Sequence, residues 1–246
     1  MSVSEGIIRA AEDRGWQEAL SGALEGEEHE RASHPERAAF VQLLPTPSGG
    51  RVLEIAAGWG GVTIELARAS YRVRALEQDS DRARFIAIRA RQEGVESLVE
   101  AAVGGFGDIS GRFDAIVVHE PVLQAAGHLS KLRERLTSDG VIYIGGPIRR
   151  PWDVTGATYR RYVRVFADAG LRVRAAYASP RGFLNPSELV PLRTEAIRHY
   201  TRMRIEPAGS SLAAWMKNSA KTALASPGAW KLLAPAFVYF LEARDA

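Results

Sequence analysis

The sequence predicts an α/β fold: a sheet of seven strands with helices on both faces. Three observations carry that prediction. Short apolar runs recur along the chain and alternate with stretches whose apolar residues repeat at helical spacing, the pattern of strands joined by crossover helices. The first run passes into a glycine cluster and then a helix, all between Arg51 and Ala67. The second run closes on an acid, Glu77, 19 residues beyond Gly58.

Taken in order, residues 3 to 25 place Ile7, Ile8, Ala11, Trp16, Leu20 and Leu24 on the apolar side of one or two amphipathic helices. Glu25 to Arg31 is a charged run that reads as a solvated linker. Pro35 suits the first turn of a helix through Phe40 to Leu44, and the turn chemistry of Pro45 to Gly50 ends it. Val52 to Ile55 is the first strand; Val62, Leu66 and Ala67 continue at helical spacing. Tyr71 to Leu76 is the second strand. Asp79 caps a helix from Ser80 to Gln92, which Gly94 ends. Leu98 to Val103 and Phe113 to Val118 are the third and fourth strands, the latter running into His119-Glu120-Pro121. A helix from Val122 to Leu136 leads to the fifth strand, Val141 to Ile144, with a sharp exit at Gly145-Gly146-Pro147. Tyr159 to Ala169 is helical, and Leu171 to Ala178 is the sixth strand. The segment 179–235 is long for a connection and holds helix candidates at Ser187 to Arg204 and Ser210 to Leu224. Ala236 to Ala243 is the last strand. The chain thus divides into a helical cap (1–45), a core (46–178), an insertion (179–235) and a closing strand (236–246) of one domain.

Composition narrows the function. With 46% hydrophobic residues the chain reads as an ordinary soluble globular protein. It has no cysteine, which removes disulfides, thiolate metal sites and a cysteine nucleophile, and fits a reducing cytoplasm, the expected location. Residues 1 to 30 carry many acids and no continuous apolar run, so no leader peptide is expected. Ala229 to Leu241 is interrupted by Lys231 and Pro235 and is too short to span a bilayer. The net charge is only +3, yet 28 of the 32 basic residues are arginine. Two readings compete: codon bias in a GC-rich bacterial genome, or some arginines that meet anionic groups in bidentate fashion.

The glycine turn carries the chemistry. Gly58, Gly60 and Gly61 allow positive φ and let a ligand approach backbone that has no Cβ. Backbone N–H groups at the start of the following helix offer donors. An acid about 20 residues on is where nucleotide-binding α/β folds accept hydrogen bonds from ribose hydroxyls. Val52-Leu53-Glu54-Ile55-Ala56-Ala57-Gly58-Trp59-Gly60 resembles the first motif of the class I S-adenosylmethionine-dependent methyltransferases. In that family the motif commonly reads Val-Leu-Asp-Ile-Gly-Cys-Gly-Thr-Gly. Phe113 to Val118 and Leu136 to Ile144 are similar to the family's fourth strand and its fifth-strand approach, so the resemblance covers about residues 45 to 180. It implies a seven-stranded Rossmann-like methyltransferase sheet and S-adenosylmethionine as cofactor, with S-adenosylhomocysteine as product. The implied cofactor contacts are Glu54, Ala56, Ala57, Gly58, Gly60, Glu77, Gln78, Val103, Gly104 and His119. Ala56 stands where the family has glycine, tightening the methionine end. The acid that family members often place against adenine has one nearby candidate, Asp108. A nicotinamide-binding domain of similar layout prefers Gly-x-Gly-x-x-Gly, which Ala56 to Gly61 fits poorly.

Methyl transfer from a sulfonium asks the protein to align a nucleophile and take its proton. His119 and Glu120 are the catalytic candidates; alternatively His119 lines the pocket and Glu120 caps the next helix. Gly145-Gly146-Pro147 offers no metal ligands after the fifth strand, so no metal is expected. His29 and His34 read as solvent-exposed, and His128 and His199 as helical residues without ligand companions. Trp16 is either a lid or a packing residue. His119-Glu120-Pro121-Val122 replaces the Asn-Pro-Pro-aromatic signature of many nucleic-acid and protein amino-group methylases. Between Gly145 and Arg204 there are 12 arginines against 4 acids, with aromatics interleaved. Two readings compete: a small anionic or sugar-like acceptor held by Arg149, Arg150, Trp152 and Arg181, or a single-stranded RNA surface. The expected reaction is metal-independent O-methylation of a small molecule. An RNA methyltransferase and a non-catalytic protein that kept the fold are the alternatives.

Overall fold

The computed structural model describes residues 3–33, 35–119, 122–147, 157–181, 188–203 and 225–244. Its sheet is built from β1 (Arg51–Ile55), β2 (Arg72–Glu77), β3 (Val99–Val103), β4 (Phe113–Val118), β5 (Leu136–Pro147), β6 (Leu171–Ser179), β7 (Val190–Pro191) and β8 (Ala236–Ala243). The strand order is β3-β2-β1-β4-β5-β8-β6-β7. The pairs β3–β2, β2–β1, β1–β4 and β4–β5 are parallel, and β8 runs antiparallel to both β5 and β6. Seven of these strands are the expected ones. The eighth, β7, is a two-residue addition pairing antiparallel with the end of β6.

The period-2 alternation of the strands sorts the core into two layers. Leu53, Ile55, Ile116, Val118, Ile142 and Ile144 face one side, packed with Leu129, Leu132, Tyr162 and Phe166. These partners come from α7 (Leu129–Glu134) and α8 (Tyr159–Asp168). Val52, Val73, Ala115, Val117, Val141 and Tyr143 face the other side, packed with Phe40, Val41, Val62 and Leu66. There the cover is a 3-10 helix (Pro35–Leu43) and α4 (Gly61–Arg68). A third cluster joins α1 (Val3–Arg14), α2 (Trp16–Ala23) and α3 (Gly26–Ser33) to Trp59, Phe85 and Ile88, the last two on α5 (Ser80–Gln92). Asp79 caps α5 as expected, accepting from Asp81 N and Arg82 N.

Several expectations are corrected. The charged run from Glu25 is helical, as α3, rather than a linker. His29 on that helix is half-buried, with Nδ1 out of reach of solvent. The segment through Phe40 is a 3-10 helix. The helix expected over Val122 to Leu136 is broken into α6 (Val122–Ala125), a 3-10 turn (Ala126–His128) and α7, and Leu136 already belongs to β5. Strand β5 is longer at both ends than its apolar core Val141 to Ile144, because pairing with β4 and β8 recruits the flanking residues. In the expected helix from Ser187, Val190–Pro191 forms β7, and the described helix is α9 (Thr194–Met203), followed later by α10 (Pro227–Leu233). His34 and the helix candidate Ser210 to Leu224 lie outside the described residues. Among the described residues no helix is long and apolar enough to cross a membrane.

Candidate functional site

A cavity of about 740 Å³ opens at the carboxyl ends of β1, β2, β3 and β4. Its wall includes Glu54, Ala56, Ala57, Gly58, Trp59, Glu77, Gln78, Gly104, Gly105 and His119, with Glu25 and Glu28 from the α3 side and Arg82 from α5. The site is therefore assembled where parallel strands end and their loops begin, which is where open α/β sheets bind ligands.

The turn after β1 sets its floor. Ala56, Gly58 and Gly60 all take positive φ, at 58°, 59° and 75°. At Gly58 a Cβ would meet nothing within 4 Å, so the backbone faces open space. At Gly60 a Cβ would lie 2.9 Å from Ile86 Cγ1, so this glycine serves the close approach of α5 to α4. Ala56 adopts the left-handed conformation that glycine takes without strain.

Glu77, at the end of β2, is buried and closes the turn. Its Oε2 accepts from Gly58 N at 2.7 Å and its Oε1 from Asp79 N at 3.1 Å. Asp108 accepts from Gly105 N at 2.9 Å and shapes the Gly104-Gly105 turn from outside the cavity wall. Val103 is 58% exposed and lies outside that wall, while Gly104 and Gly105 line it.

Glu54 and His119 meet in the wall. On β1, Val52 and Glu54 share the face that α4 covers; on β4, Val117 faces the same side, and His119, two residues on, continues it. His119 N bonds Ile55 O at 3.3 Å, extending the β1–β4 pairing. Glu54 has no exposed surface: Oε2 accepts from Thr63 Oγ1 at 2.5 Å, and Oε1 lies 2.8 Å from His119 Nε2.

The cap contributes residues that sequence reading missed. Trp59 Nε1 donates to Glu28 Oε1 at 3.3 Å, Arg82 reaches the same oxygen at 3.1 Å, and the Arg82 guanidinium stands over the Trp59 ring at 5.2 Å. Trp59 was visible inside the glycine turn; Glu25, Glu28 and Arg82 had no local signal, because their place depends on how α3 docks. Trp16 is a packing residue: Arg89 stacks on its ring at 3.8 Å, and it is not in the cavity wall.

Arg181 is not in the wall of this cavity. Arg181 donates through Nε to Glu188 at 3.1 Å and is largely exposed. Glu120, Arg149, Arg150 and Trp152 lie outside the described residues. Among the described residues no group of three or more His, Asp or Glu side chains could hold a metal.

No protein-family model matches the chain. Among curated proteins, tuberculostearic acid methyltransferase UfaA1 of Mycobacterium tuberculosis is 28% identical over 109 residues, which is 44% of this chain. The match spans about a quarter of that relative's length. Among solved structures, a SAM-dependent methyltransferase from Geobacter sulfurreducens in complex with S-adenosyl-L-homocysteine aligns over 92% of this chain and 96% of its own, with a TM-score of 0.58 and 17% identity. A SAM-dependent methyltransferase from Thiobacillus denitrificans, also in complex with S-adenosyl-L-homocysteine, aligns over 87% and 93%, with a TM-score of 0.57 and 17% identity. The chain has the fold of the class I S-adenosylmethionine-dependent methyltransferases.

Proposed function

We propose that this chain is an S-adenosylmethionine-dependent methyltransferase that methylates a hydroxyl on a small polar or anionic acceptor without a metal ion. The observation that carries the reading is that the glycine turn, Glu77 and His119 line one cavity. The wall suits the cofactor. Glu77 is fixed by two backbone donors, and its oxygens keep lone pairs for ribose hydroxyls. Gly58 leaves backbone open to the cavity, Ala56, Ala57, Gln78 and Gly104 line it, and Gly104 would meet the adenine of a bound cofactor. When bound, S-adenosylmethionine supplies an electrophilic methyl group on a sulfonium. The chain's part is to hold that donor, align the acceptor and accept its proton at His119.

Acceptor contacts from Arg149, Arg150 and Trp152 remain part of this proposal. The arginine-rich stretch also suits RNA, so one experiment tests both. Methyl-labelled S-adenosylmethionine is incubated with the protein and either a panel of small hydroxyl compounds or total RNA. Label in the small-molecule fraction is expected. Label in RNA, with RNA retention falling at a log–log salt slope near 0.7 per neutralised phosphate, would overturn the choice of acceptor.

A further inference from the structure

We propose that Glu54 is a positioning residue: it holds the His119 ring with the proton on Nε2 and leaves Nδ1 as the proton acceptor facing the cavity, so that the acceptor is one that gives up an O–H or N–H proton. This rests on the reading that the cavity takes S-adenosylmethionine and an acceptor.

The geometry makes the assignment. Glu54 is fully buried, and among the described residues each carboxylate oxygen has one partner, Thr63 Oγ1 and His119 Nε2. A buried carboxylate needs donors, and a hydroxyl and an N–H are what these two positions supply. An ionised carboxylate can only accept, so the hydrogen in the Glu54–His119 contact is the ring's, on Nε2. With Nε2 committed to Glu54, the other nitrogen is the free one. Among the described residues Nδ1 has no hydrogen-bond partner, and the ring, its side chain 24% exposed, lines the cavity. The arrangement separates two jobs. The turn with Glu77 shapes the pocket, while Glu54, one residue before the strand ends, serves the histidine across the β1–β4 seam.

The acceptor's O–H or N–H bond breaks and its proton forms a bond to Nδ1. The electron pair left on the acceptor atom forms the bond to the methyl carbon, and the pair of the breaking carbon–sulfur bond leaves on sulfur. Glu54 then faces an imidazolium and stabilises it by a charge-assisted hydrogen bond. An acceptor carbon with no acidic proton makes no use of this pair.

The test is proton–nitrogen NMR of the whole protein with isotopically labelled histidine, above about pH 7.5, where ordinary imidazoles are neutral. His119→Gln assigns its signals among the five histidines. The expected result is a proton on Nε2, far downfield and slow to exchange, and none on Nδ1. Saturating S-adenosylhomocysteine is expected to shift the Nδ1 signal, a response that a pair serving only to pack β1 against β4 would not give. In Glu54→Gln the downfield signal is lost; the wild-type measurement stands if that variant fails to fold. A proton on Nδ1, or a His119 ring indifferent to S-adenosylhomocysteine that calorimetry shows to be bound, would overturn the proposal. Failure of the ligand to bind would overturn the methyltransferase reading instead, with the tautomer still deciding whether the pair exists.

Discussion

Glu77 Oε2 accepts the Gly58 N–H at 2.7 Å, so the acid that ends β2 is tied directly to the glycine turn that ends β1. One carboxylate thus both shapes the turn and stands in the cavity wall. Glu77→Ala removes a charge-assisted hydrogen bond of about 1.5–3 kcal/mol and leaves the Gly58 N–H without this acceptor. S-adenosylmethionine affinity, read by calorimetry, is expected to fall about tenfold or more, with a lower melting temperature in the same protein. Affinity unchanged in a folded Glu77→Ala variant would remove Glu77 from the ligand site.

Ala56 holds φ at 58° without being glycine. The left-handed conformation costs an L-residue about 1–2 kcal/mol, partly offset by the lower entropy of the unfolded alanine chain. Ala56→Gly is therefore expected to raise stability by up to about 1 kcal/mol, or about 2–4 °C in melting temperature for a chain this long. A clear loss of stability on thermal denaturation would show that the methyl group makes packing contacts worth more than the strain.

Arg89 is 4% exposed and joins α5 to the N-terminal helices. It donates to Ala32 O at 2.8 Å and to Trp59 O at 3.3 Å, and it stacks on Trp16. Burial lowers its guanidinium to about 10, an uncommon cost that the two carbonyls and the ring offset. Arg89→Ala strands both carbonyls and opens a gap under the cap; a loss of about 3 kcal/mol in urea unfolding is expected, with weaker ligand binding because Trp59 loses its support.

Burial pushes the Tyr162 phenol up to about 12, while its hydroxyl donates to Pro147 O at 2.5 Å. Tyr239 is pushed well above its ordinary 10.0, and Tyr159 and Tyr71 are raised, all by burial first. A raised phenol contributes stability that is fully present below its unfolded value, about 10, and is lost as pH rises through the folded value. Folding stability is therefore expected to fall between about pH 10 and pH 12, where buried phenols ionise only on unfolding. A phenolate absorbance titration in which all the tyrosines ionise near 10 with the fold intact would contradict the packing around Tyr162.

Most of the sheet was legible because buried strands are bounded by turn chemistry: β8 begins at Ala236 and ends at Ala243 in both readings. Asp79 announced α5 through its local cap. What was missed depends on distant partners. The α3 sequence Gly-Glu-Glu-His-Glu-Arg-Ala-Ser has no apolar stripe, and its helix is supported by buried Ala32 and by Glu28 facing Trp59 and Arg82. Thr137-Ser138-Asp139-Gly140 carries turn residues, yet it lies within β5; Gly140 there fits closely against Phe113 O, which a Cβ would approach to 3.0 Å. At the site, the glycine turn and Glu77 were readable from their spacing. The Glu54–His119 contact was not, because parallel pairing of β1 with β4 brings together two residues 65 apart in the chain.

The most direct measurement is calorimetric titration of the wild-type chain with S-adenosylmethionine and S-adenosylhomocysteine, with a nicotinamide dinucleotide as the control. Saturable binding of both sulfur nucleosides in the micromolar range, about −8 kcal/mol, and no binding of the dinucleotide is the predicted result. No heat and no thermal shift with either sulfur nucleoside, or tight binding of the dinucleotide instead, would contradict it.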